Sequence, residues 1–318
     1  MTPPPPPLWK KVCQALAALP RSLRRTRRPR LVMTLLVKNE ADILAANLEF
    51  HRALGVDAFV ITDNASADDT PRIIRAYQER GWVQHVIHEP ATGYEQKRWV
   101  DRMVDIARRE LKADWIINAD ADEFWWTPTG NLKDELERTT GNVLRCPSVN
   151  VMPREGQSLT AWATTVRPVP ETLRQAYGLC PYSHFTPQRG KVAHRADGYL
   201  QISMGNHKVA MLPHRPRPCG IVIYHYSLRG KTHFMNKMVT GGRELLAHGS
   251  RHGGAHWRYF YALHQQGRLA EAYDREVMGA HCTAELRQAG YLVDDNPLPA
   301  WFATHPLPPL PALQPLSL

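Results

Sequence analysis

No stretch of the 318-residue chain holds the roughly 18 to 20 consecutive apolar residues that a membrane-crossing helix needs. The opening lacks signal-peptide character as well, because the prolines Pro3 to Pro7 precede a short apolar patch and the main basic cluster follows it. A soluble or peripheral protein is expected. Cysteine is scarce: Cys13, Cys146, Cys180, Cys219 and Cys282 are odd in number and form no C-x-x-C, which argues against a disulfide scaffold and a zinc ribbon and fits a reducing, cytoplasmic compartment. Acid is missing from the first thirty residues, which carry eight Lys and Arg; the remainder balances 32 basic against 30 acidic residues, so the formal charge of +10 resides almost wholly in the arm. With no basic surplus on the body to track phosphates, specific nucleic-acid binding is not expected. There is no internal repeat.

Residues 1–30 read as a Pro/Arg-rich arm. Leu8, Trp9, Val12, Ala15, Leu16 and Leu19 recur near helical spacing, with Lys10 and Lys11 off that stripe. Two readings stand: a surface helix or disordered arm, and a peripheral contact of residues 8–30 with anionic lipid at the inner face of the membrane.

From Leu31 the pattern becomes regular. Leu31–Val37 and Ala58–Thr62 are short apolar runs of the kind buried on both faces of a parallel sheet, Trp82–Ile87 reads as a third strand and Trp115–Asn118 as a fourth. Between them lie helical stretches. The first is expected to be capped by Asn39 and to bury Ile43, Phe50 and Leu54; the second starts with Thr70 at N-cap and Pro71 at N1; the third spans about 95–111. Strands alternating with helices predict a doubly wound, mostly parallel α/β sheet over residues 31–127. Residues 128–293 are expected to form an irregular α+β half of the same domain. Within it the pattern shows a short helix at 131–139, a strand inside 142–152, no clean periodicity over 153–220, a strand at 221–226, and helices near 231–246 and 256–278. Residues 294–318 carry seven prolines and read as an extended tail.

Ligands bind such sheets beyond the carboxyl ends of the strands, and the acids cluster there: Glu40 after the first strand, Asp63 after the second, Asp120 and Asp122 after the fourth. In extended backbone residues i and i+2 point to one side, so Asp120 and Asp122 are expected to converge on a single ion across the small Ala121. Hard oxygen donors suit Mg²⁺ or Mn²⁺, which partner diphosphates. Glu123 adds a third acid, and clustered carboxylates repel unless a cation compensates them. Gln96, Lys97 and Arg98 open the third helix, where amides and basic groups meet phosphate.

Three ordered segments, Lys38-Asn39-Glu40, Asp63-Asn64-Ala65-Ser66-Ala67-Asp68-Asp69-Thr70 and Asp120-Ala121-Asp122-Glu123-Phe124, resemble the motifs of a subgroup of family 2 glycosyltransferases. The resemblance covers about residues 31–126. It implies a sheet of the nucleotide-diphospho-sugar transferase type (GT-A-like), a divalent metal, a UDP- or GDP-linked donor, and transfer to a glycan or lipid-linked acceptor in cell-surface polysaccharide assembly. On this resemblance Glu40, Asp63 and Asn64 lie near the nucleoside, Asp120 faces the ribose and the metal, and Asp122 chelates the metal that bridges the phosphates. Tyr224–Lys231, with Lys237 and Gly241-Gly242, resembles the subgroup's later part and offers His225 as a metal ligand or phosphate donor; His207 is the next candidate. An inverting transfer needs a general base, for which Glu123 and then Asp197 are the candidates.

Two other classes compete. A metal-dependent nucleotidyltransferase needs a Gly-rich basic loop after its first strand, which Lys38-Asn39-Glu40 does not supply; a non-catalytic, membrane-associated scaffold would retain the sheet without turnover. For the arm, removal of residues 1–30 is expected to weaken co-sedimentation with anionic liposomes while sparing donor hydrolysis. Equal sedimentation of the two chains rejects a lipid role.

Overall fold

The computed structural model describes residues 27–90, 95–154, 156–247 and 254–309. From β1 (Leu31–Val37) the chain runs through α1 (Leu44–Ala53), β2 (Ala58–Asp63), α2 (Thr70–Glu79), β3 (Val83–His88) and α3 (Gln96–Arg109) to β4 (Trp115–Ala119). The four strands pair in parallel in the order β4-β1-β2-β3. Alternation along each strand sends residues to opposite faces. Met33, Leu35, Phe59 and Ile61 pack with Leu48, Phe50, Ile73 and Tyr77 from α1 and α2. Val32, Val60 and Ile116 pack on the other face with Val100, Met103 and Val104 of α3. Helices on both faces make this half doubly wound, as the apolar runs predict.

Next come β5 (Glu123–Trp126), α4 (Leu132–Arg138), β6 (Val143–Cys146), β7 (Ser148–Val151), β8 (Thr165–Val166), α5 (Glu171–Ala176), β9 (Lys191–Arg195), β10 (Tyr199–Ile202), β11 (Val209–Met211), β12 (Pro216–Pro218) and β13 (Val222–His225). β9 lies antiparallel between β4 and β6 and extends the first sheet to seven strands, β12-β6-β9-β4-β1-β2-β3. Pro147 separates β6 in this sheet from β7 in a second; lacking an N–H, proline cannot continue a ladder. Helices α6 (Lys231–Ala247), α7 (Ala255–Gln265), α8 (Leu269–Val277) and α9 (Ala280–Gln288) follow, then β14 (Leu292–Val293) and α10 (Leu298–Thr304). The second sheet has the order β14-β8-β7-β13-β5. No helix among the described residues is long and apolar enough to cross a membrane.

Several local expectations need correction. Asn39 does not cap α1: it adopts a left-handed φ of 55° in the turn after β1, and Ile43 precedes the helix without a side-chain cap. Thr70 is the first helical residue and Asp69 the cap position, because the Thr70 hydroxyl is taken by the Glu40 amide. The stretch 153–220 lacks periodicity because it crosses between sheets in short strands. The tail from Asp294 is not extended throughout: Leu298 and Phe302 of α10 are buried in the main core, each contributing roughly 1.5–3 kcal/mol. The last arginines of the arm belong to the body, since Arg27 pairs with Asp114, Arg28 with Asp134 and Glu137, and the Arg30 amide donates to Asp114. The rest of the arm, residues 1–26, and the tail from residue 310 lie outside the described residues.

In the helical cover, Glu276 of α8 is buried and accepts from the Ser183 hydroxyl at 2.8 Å and the His184 amide at 2.7 Å. Burial, opposed by those donors, raises its carboxyl from the ordinary 4.5 to about 7. The folded state therefore holds this proton more tightly than the unfolded chain, so the contribution is fully present below about pH 4.5 and is lost as pH rises through about 7. Glu276→Gln keeps an acceptor and removes the charge. The variant is expected to gain on the parent by on the order of 2 kcal/mol between about pH 5 and about pH 8. Parallel melting curves across that range would refute the shift.

Candidate functional site

The loops after β1 and β2 are laced together by side chain to backbone bonds. The Asn39 amide donates to Ser66 Oγ at 2.9 Å, Ala67 N donates to Asn39 Oδ1 at 2.7 Å, Glu40 N donates to Thr70 Oγ1 at 2.8 Å, and Ala41 N donates to Asp68 at 3.1 Å. Asp63, buried at the end of β2, turns its own loop by accepting from Ser66 N at 3.1 Å. The short polar residues of the first two motifs are thus fixed by one turn chemistry. Asn64 donates its amide N–H to Val37 O at 2.9 Å, joining the two strand ends.

Between β4 and β5, residues 120–122 form a tight turn, with Glu123 N donating to Asp120 O at 3.2 Å. This corrects the expectation of extended backbone across Asp120-Ala121-Asp122. The turn is held from behind by α1. Asn47 Nδ2 donates to both Ala121 O and Glu123 O at 2.9 Å, and buried His51, whose imidazole burial pushes down to about 3, accepts from Trp125 N at 3.0 Å. The two aspartates then part. Asp120, 40% exposed, meets Lys191 Nζ at 2.7 Å, whereas Asp122, 3% exposed, meets Lys237 Nζ at 3.0 Å and faces His225 Nε2 at 3.6 Å.

Lys191 opens β9 fully buried and also reaches Glu123 Oε1 at 2.7 Å, while Glu123 Oε2 accepts from Asp120 N at 3.2 Å. Burial works against its ammonium, but Asp120 and Glu123 outweigh that and raise it. Both oxygens of Glu123 are therefore engaged, so it braces the turn and is not placed to take a proton from an acceptor. Burial raises its carboxyl, against the pull of Lys191. Asp197 is corrected outright: the antiparallel register of β9 with β4 puts Lys191 near Asp120 and sends Arg195 and exposed Asp197 to the opposite end of the sheet.

On the other side of Asp122, Lys237 lies 3.9 Å from Glu40, and buried Arg229 bonds Glu40, Asp42 at 2.5 Å and His233 at 2.7 Å. Burial raises Glu40 against Lys237 and Arg229. For Asp122 burial also pushes upward, but Lys237, His225 and Arg229 prevail and hold its carboxyl well below the ordinary range. α6 brings Lys237 to this point because Gly241 and Gly242 have no Cβ to strike Trp257 and Tyr261 of α7; an added Cβ would stand 2.8 and 2.4 Å from them.

Five carboxylates (Glu40, Asp42, Asp120, Asp122 and Glu123) thus face three fixed cations, Lys191, Arg229 and Lys237. The balance is negative before His225 is counted. Asn150 sets that ring: its Nδ2 donates to His184 O at 2.7 Å, leaving Oδ1 to accept from His225 Nδ1–H at 3.1 Å. Nε2 then faces an Asp122 oxygen at 3.6 Å, where a proton on the ring or another positive charge satisfies both. Burial lowers His225, but Asp122 and Glu123 raise it overall. Among the described residues no three His, Cys, Asp or Glu side chains gather as a ready metal cage.

The structure therefore brings Glu40, Asp120, Asp122, Glu123 and His225 together, with Asp63 and Asn64 on the adjoining strand end. Arg98 is exposed and paired with Glu95 at 2.9 Å. Lys191, Arg229 and Asn150 were missed by sequence reasoning; a lysine opening the apolar run Val192-Ala193 was the available signal.

No protein-family model and no curated protein matches the chain. Solved structures do. The chain is similar to the mannosyltransferase PcManGT from Pyrobaculum calidifontis, in complex with GDP-Man and Mn²⁺, at 17% identity and a TM-score of 0.39, covering 93% of this chain and 86% of that one. It is similar to S. aureus TarS in complex with UDP at 16% identity and 0.38, covering 80% and 74%. A third likeness is to glucosyl-3-phosphoglycerate synthase from Mycobacterium tuberculosis with Mn²⁺, UDP and glucosyl-3-phosphoglycerate, at 16% and 0.34, covering 78% and 85%. These superpositions are too loose to transfer a function.

Lys191→Met strands the buried Glu123 charge and is expected to cost about 3–5 kcal/mol in urea unfolding. Adding Glu123→Gln should restore more than half of it. A loss below about 1 kcal/mol for the single variant would show that the bridge does not support the turn.

Proposed function

We propose that the chain is a glycosyltransferase that moves a sugar from a UDP- or GDP-linked donor to an acceptor hydroxyl, in cell-surface glycan assembly. One observation carries this reading. Strand order reverses between β1 and β4, the point at which open α/β sheets bind ligands, and the residues after these two strands are Glu40 and the Asp120–Asp122 turn. The excess negative charge there, with His225 Nε2 beside Asp122, suits a divalent cation, Mn²⁺ or Mg²⁺, that would take the place of the ring's proton. Asp122 and His225, with Asp120 beside them, would hold it. When bound, such an ion neutralises the charge that grows on a departing diphosphate.

The remaining work falls to the chain's own groups. Asp63 gives one oxygen to the Ser66 amide and has the exposed His88 at 4.0 Å from the other, the oxygen that a base N–H would reach, while Asn64 fixes that loop to β1. Asp120 is the exposed carboxylate of the pair and suits the ribose. Lys237, one-third exposed between Asp122 and Glu40, is the cation placed to meet a phosphate oxygen. In the transfer the bond from the anomeric carbon to the phosphate oxygen breaks, the diphosphate leaves with the electron pair, and the acceptor oxygen bonds to that carbon as its proton passes to solvent. We assign inversion as the outcome.

Nucleotidyl transfer is disfavoured by the β1 loop, which contains no glycine and whose amides are spent on Ser66, Thr70 and Asp68. Calorimetry with UDP and GDP in the presence of Mn²⁺ tests the proposal. Wild-type protein is expected to bind one of them only with the metal, and Asp122→Ala to bind at least about tenfold more weakly with its circular dichroism unchanged. Equal affinity of variant and parent removes the metal assignment.

A further inference from the structure

Beside Lys191 the carboxyl end of β6 and the start of β9 border a cavity of about 560 Å³, of the size that takes a sugar-sized ligand. Its apolar wall includes Val143, Val192 and Val209, and its polar groups are Arg145, Lys191, His207, Lys208 and His214; no carboxylate lines it. The side chains of Arg145, Lys208 and His214 make no hydrogen bond or ion pair among the described residues. Arg145 and Lys208 carry positive charge at the exposed mouth with His214 beside them, so an anion entering the cavity meets two cations and no carboxylate.

The cavity is built, not incidental. Gly190 keeps β9 against β6, since a Cβ there would stand 2.3 Å from Cys146 O. His207 Nδ1 donates to Gly190 O at 3.0 Å, which fixes the ring and leaves Nε2 to accept a hydroxyl. Lys191 joins the cavity to the active site, because its ammonium is bonded to Asp120 and Glu123 at 2.7 Å.

We propose that this cavity is the acceptor site and that the acceptor carries an anionic group, a phosphate or a carboxylate, close to the hydroxyl that receives the sugar. The inference rests on the glycosyltransferase reading and adds the substrate class to it. Arg145, Lys208 and His214 take the anion, while His207 and the Lys191 end face the hydroxyl.

The test is calorimetry with glucose 6-phosphate, glucuronate and neutral glucose as probes, on the full chain and on the triple variant Arg145→Gln, Lys208→Gln, His214→Gln, with UDP and Mn²⁺ titrated separately. The parent is expected to bind one charged probe at least about tenfold more tightly than glucose, and the triple variant to lose that preference while keeping its UDP affinity. Whichever of the two charged probes shows the preference identifies the anion. Equal affinity for charged and neutral sugars, or an unaltered preference in the triple variant, overturns the proposal. Loss of UDP binding in the triple variant also overturns it, by making the cavity a donor-phosphate subsite. Failure of the parent to bind any nucleotide sinks the transferase reading itself, and the acceptor assignment with it.

Discussion

The structure depends on keeping like charges together at the rim of a sheet. Carboxylates from the loop between β1 and α1 and from the β4–β5 turn meet at the point where strand order reverses, and largely buried acids at that spacing would push the loops apart if left alone. The chain answers with cations from distant segments: Lys191 from an inserted antiparallel strand, Arg229 from the loop after β13, and Lys237 from α6. Each links elements remote in sequence. The neutralisation is incomplete, five carboxylates against three fixed cations, and the proposed metal would make up that deficit.

Behind the charged surface lies a second, neutral support. Asn47 and His51 on α1 hold the carbonyls and amide of residues 121–125 from the buried side. Thr34, Asn118 and His194 form a buried chain across β1, β4 and β9, with Thr34 Oγ1 donating to Asn118 Oδ1 at 2.7 Å and Asn118 Nδ2 donating to His194 Nε2 at 3.0 Å. His194 stays neutral because burial pushes it down to about 4. Satisfied polar groups of this kind fix one arrangement of the strands where apolar packing alone would tolerate slippage.

Much of the first half was legible in the sequence because its strands are buried on both faces and appear as unbroken apolar runs, with turn residues and acids at their ends. The doubly wound layers and the gathering of Glu40, Asp63, Asp120 and Asp122 at strand ends follow from that pattern. The second half was not legible. β8, β11 and β12 are two or three residues long, too short to show a period, and β9 is an apolar run that begins with a charge. The separation of Asp120 from Asp122 was hidden because an i, i+2 spacing converges only in extended backbone, and here the chain turns. Lys191 and Arg229 carry little local signal, since the carboxylates that define each role lie about seventy or more residues away.

The insertion of β9 beside β4 also orders events in time. While the chain leaves the ribosome, residues 31–127 can collapse before Lys191 exists, leaving β4 with a bare edge and Glu123 without its counter-charge. An open edge of that kind invites pairing with the wrong partner. The nascent half is therefore an intermediate that must wait for some sixty further residues, and a break in synthesis inside that interval would leave a species poised for misassembly.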